Sequence, residues 1–380
     1  MRFLDLVRLI NRNYRGWRTN RKLVVFQSDD WGSIRMPSKQ IVEGLQQFDV
    51  DVEECHYMRF DTIASKTDLM LLFEILEKHK DRNGNHPVIT GNILTRNPNF
   101  EEIKKSNYTA YHSTLISDNS ENNVRVMNSL KYWREGIRKG VFFPQLHGRE
   151  HLNIERWLEA LRNSNPLVTY AFKNNFWGIN YKKSNYLNAS LQAAFDFDES
   201  DDKQQHLKIL NECIKDFRDL FGFESESFIA PNYVWYFEIE EYLKRNNIKF
   251  LQSGRVQALP MGNGVYKYLK HYTGEKNNLD QIYMVRNVHF EPSENFEHDW
   301  VDSAMNEIRI AFLMNRPAII NTHRLNYIGG IEEHNRTRSL KCLDDLLARI
   351  THTWPEVEFL NTVQLGKMIE TSLLSKCRKN

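Results

Sequence analysis

Two adjacent carboxylates and two histidines spaced i, i+4 are the side chains of this sequence best equipped for chemistry. Asp29 and Asp30 close the apolar run that begins at Lys22 and Leu23, and His147-Gly148-Arg149-Glu150-His151 follows the run Val141–Leu146. Together they offer an oxygen ligand, two imidazoles and a spare carboxylate. Three protein ligands that leave coordination positions open, with a base beside them, are what metal-activated water requires. Asp30, His147 and His151 are therefore candidate ligands of a divalent ion, and Asp29 is the candidate base. A third apolar run, Pro317–Thr322, ends in His323. With 13 histidines in 380 residues, about 0.4 His-x-x-x-His pairs arise by chance, so that spacing alone is weak. The weight comes from coincidence: each piece sits at the end of a strand-like run. Zinc is the default ion, although a His, His, Asp set also accepts cobalt, nickel, iron or manganese.

The elements that must position these residues alternate. Buried-strand patterns cover 23–28, 87–93, 141–146, 227–231, 248–252, 282–288, 317–322 and 357–360. Helical spacing of apolar residues marks 68–77, 207–221, 238–246, 303–315 and 340–351 between them. Strands alternating with helices predict a parallel sheet, and seven or eight such units favour a closed (β/α) barrel with helices outside. Barrels do their chemistry at the C-terminal ends of the strands, where Asp29, Asp30, His147 and His323 all fall. A helix starting near His147 would bring His151 onto the same face. The expected organisation is an N-terminal amphipathic helix with a basic segment over 1–20, then the barrel over 21–370. An insertion at about 152–206 interrupts the rhythm. It holds Phe172, Asn174, Asn175, Phe176, Trp177, Asn180 and Tyr181, then an acidic patch from Asp196 to Asp202. Those aromatics suit either stacking on sugar rings or a satellite core.

Composition sets the remaining bounds. Hydrophobic residues at 41% and charged residues at 26% fit a folded chain with a sizeable core, and a net charge of +2 argues against a nucleic-acid partner. Four cysteines, Cys55, Cys213, Cys342 and Cys377, form no CxxC. No run approaches the roughly 18 apolar residues of a membrane span. The first ten residues carry charges within their apolar part and no small-residue cleavage site, unlike a secretory signal. With Arg12, Arg15, Arg18, Arg21 and Lys22 behind it, this segment is expected either to touch an anionic membrane surface or to pack on its own domain. A cytoplasmic location, with the inner face of the membrane as a variant, is the corresponding expectation.

In these features the chain resembles the polysaccharide deacetylase superfamily, metal-dependent esterases that remove N-acetyl groups from chitooligosaccharides and peptidoglycan. The family's Asp–Asp motif matches Ser28-Asp29-Asp30-Trp31-Gly32, its His-x-x-x-His motif matches His147 to His151, and its late strand ending in histidine matches Asn321-Thr322-His323. Its third motif is partly visible as Ile229-Ala230-Pro231-Asn232-Tyr233. The resemblance spans roughly residues 20–365. It implies a distorted (β/α) barrel of about seven strands and removal of an N-acetyl, or O-acetyl, group from a sugar or glycan precursor such as a nucleotide-linked or lipid-linked sugar. It also assigns roles: Asp30, His147 and His151 hold the metal, Asp29 is the base, and His323 is the acid for the departing amine. A backbone N–H after Pro231, near Asn232, would meet the oxyanion. Two positions depart from the pattern. Ile229 stands where the family has an arginine that orients the base, and Asn232 stands where an aromatic is usual. Arg286 is the leading replacement for that cation, with Arg35 and Arg324 as others. Trp31 is expected to floor a sugar subsite or to plug the barrel mouth. Asn92 and Thr90 are expected to line the cleft, and His289 to be a further ligand or an ordinary loop residue. A glycoside hydrolase of the same barrel superfamily and a non-catalytic carbohydrate-binding relative are the alternatives.

Overall fold

The computed structural model describes residues 3–48, 52, 55–118, 124–179 and 190–377. Nine strands form one parallel sheet: β1 (Leu23–Trp31), β2 (Ile89–Leu94), β3 (Phe142–Gly148), β4 (Ser227–Ile229), β5 (Phe250–Ser253), β6 (Ile282–Val285), β7 (Val288–His289), β8 (Ala318–His323) and β9 (Glu358–Phe359). Their order is β6-β5-β4-β3-β2-β1-β8-β7, with β9 also on β1. The expected helices all form, as Lys66–Lys78, Asp202–Phe221, Phe237–Arg245, Trp300–Leu313 and Glu333–Thr353. Ser65 caps the first of these through a reciprocal bond with Asp68.

The barrel closes in an unusual way. Its two terminal strands, β6 and β7, are consecutive in the chain with only Arg286 and Asn287 between them. Arg286 N–H donates to Ser253 on one side, whereas Asn287 N–H donates to Ile319 on the other. A single run, 282–289, thus pairs with β5 in its first half and β8 in its second. The uninterrupted strand expected over 282–288 is instead bent at these two residues. Counted as one stave, it makes the barrel seven-stranded (β1 to β5, the bent run and β8).

What fills the barrel decides where the site can be. Along β1, Leu23 and Val25 join Phe250, Met284, Ile319 and Leu365 in an apolar floor. Two residues further on the same face comes Gln27, then Asp29, because side chains alternate along a strand. Above the floor the interior is polar but satisfied. Gln27 donates to Thr362, Gln252 to Asn92 and Ser227, and Gln145 accepts from the Ser227 amide. Such a network is tolerable when each member is paired. It supports carboxylates at the upper end.

Outside the barrel, the helix Phe3–Asn13 lies against Trp300–Leu313. Leu9 and Asn13 are buried, Arg12 reaches Glu307 at 3.2 Å, and Arg21 forks onto Glu358 at 2.8 and 2.5 Å. This helix packs on its own domain, while Val7 and Ile10 stay exposed. Among the described residues no helix is long and apolar enough to cross a membrane. In the interval 152–206, Phe172, Phe176 and Trp177 are buried, with Phe172 against Trp157 and Phe100. They build core, leaving no free faces for stacking on sugars. Asn180 and Tyr181 lie outside the described residues. The acidic patch is partly structural too: Arg156 binds Asp196 at 2.5 Å and Asp198 at 2.7 Å.

Candidate functional site

Asp30 reaches the cleft through a local distortion. In a regular strand Asp29 and Asp30 would point to opposite faces. The β1–β2 register shifts between Ser28 and Trp31, and Asp30 adopts φ +70°. That bulge turns both carboxylates into one cleft of about 240 Å³ at the C-terminal ends of the strands, lined also by His147, His151, Asn232 and His323.

The two histidines meet differently from the expected helical face. His147 belongs to β3, Gly148 takes φ +139°, and the nearest helix begins only at Ile154. The chain folds back after the strand, setting the two rings 5.2 Å apart, edge to face. His147 Nδ1 donates to the Ile229 carbonyl at 2.9 Å, which leaves Nε2 as the acceptor aimed at Asp30. Nε2 is 3.3 Å from Asp30 Oδ1, and His151 Nε2 is 3.9 Å from the same oxygen. One ligand atom from each of Asp30, His147 and His151 falls within 4.8 Å of the others. Asp30 Oδ1, His147 Nε2 and His151 Nδ1 are buried without hydrogen-bond partners. Burial pushes the His151 imidazole down to about 3, against the opposing pull of Asp30, so it is neutral near pH 7. A neutral His151 imidazole, an ionised carboxylate and a second-layer carbonyl on His147 fit a divalent ion.

Beside this group stands Asp29. Burial opposes its charge, but Arg286 overrides that and holds the carboxyl well below the usual range. The pair is bidentate: Nη1 to Oδ2 at 2.8 Å and Nη2 to Oδ1 at 2.6 Å. Arg286 also binds Gln27 at 2.9 Å and the Tyr233 hydroxyl at 3.1 Å. The bend between β6 and β7 is what aims this guanidinium inward. It thus stands against Asp29, where the resemblance expects an arginine at the position of Ile229. Asn92 donates to Asp29 Oδ1 at 2.7 Å and is fully buried, so it orients the carboxylate instead of touching a ligand. Thr90 likewise faces Thr362 within the barrel.

His323 faces Asp29 across the cleft, Nε2 to Oδ2 at 3.7 Å. Burial disfavours its charge, but Glu291 at 2.5 Å from Nδ1, aided by Asp29 and Asp30, raises it to about 9. Glu291 is in turn held by Asn326. The sequence marks Glu291 only as a polar residue after the sixth run, since only the fold puts it behind His323. Tyr57 was missed altogether; its hydroxyl lies 3.1 Å from His323 Nε2.

The remaining candidates take the following places. Trp31 is fully buried, donates to Ser28 and packs on Phe142 and Trp133, so it floors no subsite. His289 lies outside the cleft lining, beside Glu294 at 3.1 Å. Arg324 serves Asp61, at 2.5 Å, and Arg35 lies against Asp30 and Asp61. Pro231 is buried, while Asn232 and Tyr233 take left-handed backbone at the rim (φ 56° and 55°), with the Asn232 amide on Ser190.

No protein-family model matches the chain, and no curated protein does either. Several solved structures similar to it are polysaccharide deacetylases. One is a probable polysaccharide deacetylase from Pseudomonas aeruginosa PAO1, at 9% identity and TM-score 0.44, covering 94% of this chain and 96% of that one. Another is a mutant of a peptidoglycan deacetylase from Bacillus subtilis, at 10% identity and TM-score 0.35, with 95% and 97% covered. A 4-alpha-glucanotransferase from Thermococcus litoralis is similar at 9% identity and TM-score 0.43, with 91% of this chain but 40% of that one covered. Resemblances this distant decide nothing about chemistry, for which the side-chain geometry must serve.

Proposed function

We propose that this chain is a metal-dependent hydrolase that removes an N-acetyl, or O-acetyl, group from a sugar or glycan precursor. The observation that carries the reading is the convergence, within 4.8 Å, of one ligand atom from each of Asp30, His147 and His151, with Asp30 Oδ1 and His147 Nε2 buried and unpartnered, next to a clamped carboxylate and a charged imidazole. A divalent ion, zinc by default, would supply Lewis acidity there, lowering the pKa of water from 15.7 to about 7 and polarising the acyl oxygen.

The chain's own groups do the rest. Arg286 and Asn92 keep Asp29 ionised and fixed, with Oδ2 toward the open cleft, where it accepts the proton of the attacking water. Opposite it, His323 is protonated near neutral pH and gives its proton to the departing amine, which is a very poor leaving group without one. Glu291 fixes the ring and stabilises the imidazolium. Base and acid therefore flank a single reacting centre from positions set before substrate arrives. The Arg286–Asp29 pair counts against the non-catalytic relative, which the arginine missing at Ile229 had suggested.

Metal content and acetate release test the reading together. Wild-type protein should hold one divalent ion per chain, and His147→Ala and His151→Ala should lose it. The loaded wild type should free acetate and an amine from acetamido sugars. New reducing ends without acetate would establish the glycoside hydrolase instead; a wild type that binds no divalent ion sinks both.

A further inference from the structure

Among the described residues that line the cleft, Arg35 is the one whose charge the hydrolytic scheme does not use. It is buried, at 2% exposure, between the rings of Tyr57 and Trp177, with its guanidinium carbon 5.0 and 5.5 Å from their centroids. Gly178 makes room for it: a Cβ there would stand 2.0 Å from Arg35 Cγ. The position is built, and yet the guanidinium is poorly served. Its hydrogen bond to Asp30 Oδ2 is long, 3.4 Å, and Nε lies 3.3 Å from Asp61 Oδ2 without forming a hydrogen bond. Asp61 gives its closer contact, 2.5 Å, to Arg324. Arg286, by contrast, forks onto Asp29 at 2.6 and 2.8 Å. A guanidinium has five N–H groups, and burying it with so few acceptors is costly.

The charge balance points the same way. Asp29 is matched by Arg286, Glu291 by His323, and Asp61 by Arg324. Asp30 and Arg35 cancel, so the charge of a bound divalent ion is left without compensation in a small, mostly buried cleft. Such a site favours an anion, and the guanidinium fork is suited to phosphate or carboxylate oxygens.

We propose that Arg35 is an anion-binding residue of the cleft, and that the substrate is an acylated sugar carrying a phosphate or carboxylate near its acyl group. The acylated-sugar part and the ion's charge rest on the hydrolase reading; the open Arg35 guanidinium does not. Arg35 acts by binding the substrate's charged group, which separates it from Asp29 and His323.

Calorimetric titration of zinc-loaded and of metal-free wild type with N-acetylglucosamine, its 1-phosphate and its 3-O-lactyl ether, whose phosphate and carboxylate flank the acetamide, tests this. A charged sugar should bind the wild type about tenfold or more tightly than the neutral one, with some preference surviving metal removal. The tighter of the two tells phosphate from carboxylate. Arg35→Met should remove the preference in the metal-free protein, and Arg35→Lys should keep part of it. Equal affinity of wild type for neutral and charged sugars overturns the proposal, and needs no variant to fold. So does an Arg35→Met protein that loses turnover of neutral and charged sugars alike, because Arg35 would then serve the reacting oxyanion. Charge-selective binding without acetate release keeps the anion site and sinks the hydrolase reading; acetate release without charge selectivity does the reverse.

Discussion

The two sides of the cleft are finished differently. On one, Asp30 Oδ1, His147 Nε2 and His151 Nδ1 are buried and unpartnered. On the other, each acid already has its cation: Asp29 is forked by Arg286, and Glu291 holds His323. A buried polar atom left unpaired costs about 1–3 kcal/mol. Asp30 Oδ1 and His147 Nε2, with a His151 nitrogen within 4.8 Å, would be satisfied by the proposed ion. The paired side shows the opposite economy, with protonation states set by neighbours that are part of the fold. One side lacks partners that a ligand could supply; the other is complete without one.

The sharpest way to break this contrast is to unpair the finished side. Arg286→Met leaves Asp29 buried without its cation, and removing one partner of a buried pair costs about 3–5 kcal/mol. Chemical denaturation should show a loss of that order, with the Asp29 carboxyl moving upward and any acid limb of activity moving to higher pH with it. Unchanged stability would mean that Asp29 and Arg286 are not paired as described.

A smaller effect is expected at the acid. His323 titrates at about 9 in the folded chain, against about 6.5 unfolded. A raised pKa means that its contribution to stability is full below about 6.5 and lost as pH rises through about 9. Glu291→Gln removes the carboxylate that raises it, so the alkaline limb of activity should shift down toward 6.5 and stability should flatten over that window. NMR titration of the ring reads the shift directly; a wild-type midpoint near 6.5 would contradict the pairing.

Least of all should come from Trp31. Trp31→Phe deletes the hydrogen bond to Ser28 and some packing, about 1–2 kcal/mol of stability, with no change in KM for any sugar. A raised KM would restore it to the substrate site.

Much of this was legible in the chain. β-branched and aromatic runs mark the strands because buried parallel strands need apolar side chains on both faces. The Asp–Asp pair, the two histidines and His323 stand out because each ends such a run. What was hidden depends on backbone detours and distant partners. The bulge that turns Asp30 inward is one register shift, invisible in composition. The turn that joins His147 to His151 imitates a helical spacing without a helix. Arg35 reads only as a minor candidate for the missing cation, and Glu291 as a polar residue after a strand, until the fold sets one against Asp30 and the other behind His323.

By itself, then, the sequence determined the alternation of strands and helices, and with it the end of the sheet where several polar residues gather. Local periodicity and residue type suffice for that, because they act over a few residues at a time. Only the tertiary structure decided which of those residues meet. Arg286 reaches Asp29 across 257 positions, through a bend that closes the barrel. Protonation depends on such encounters, since charge and burial are summed over neighbours in space.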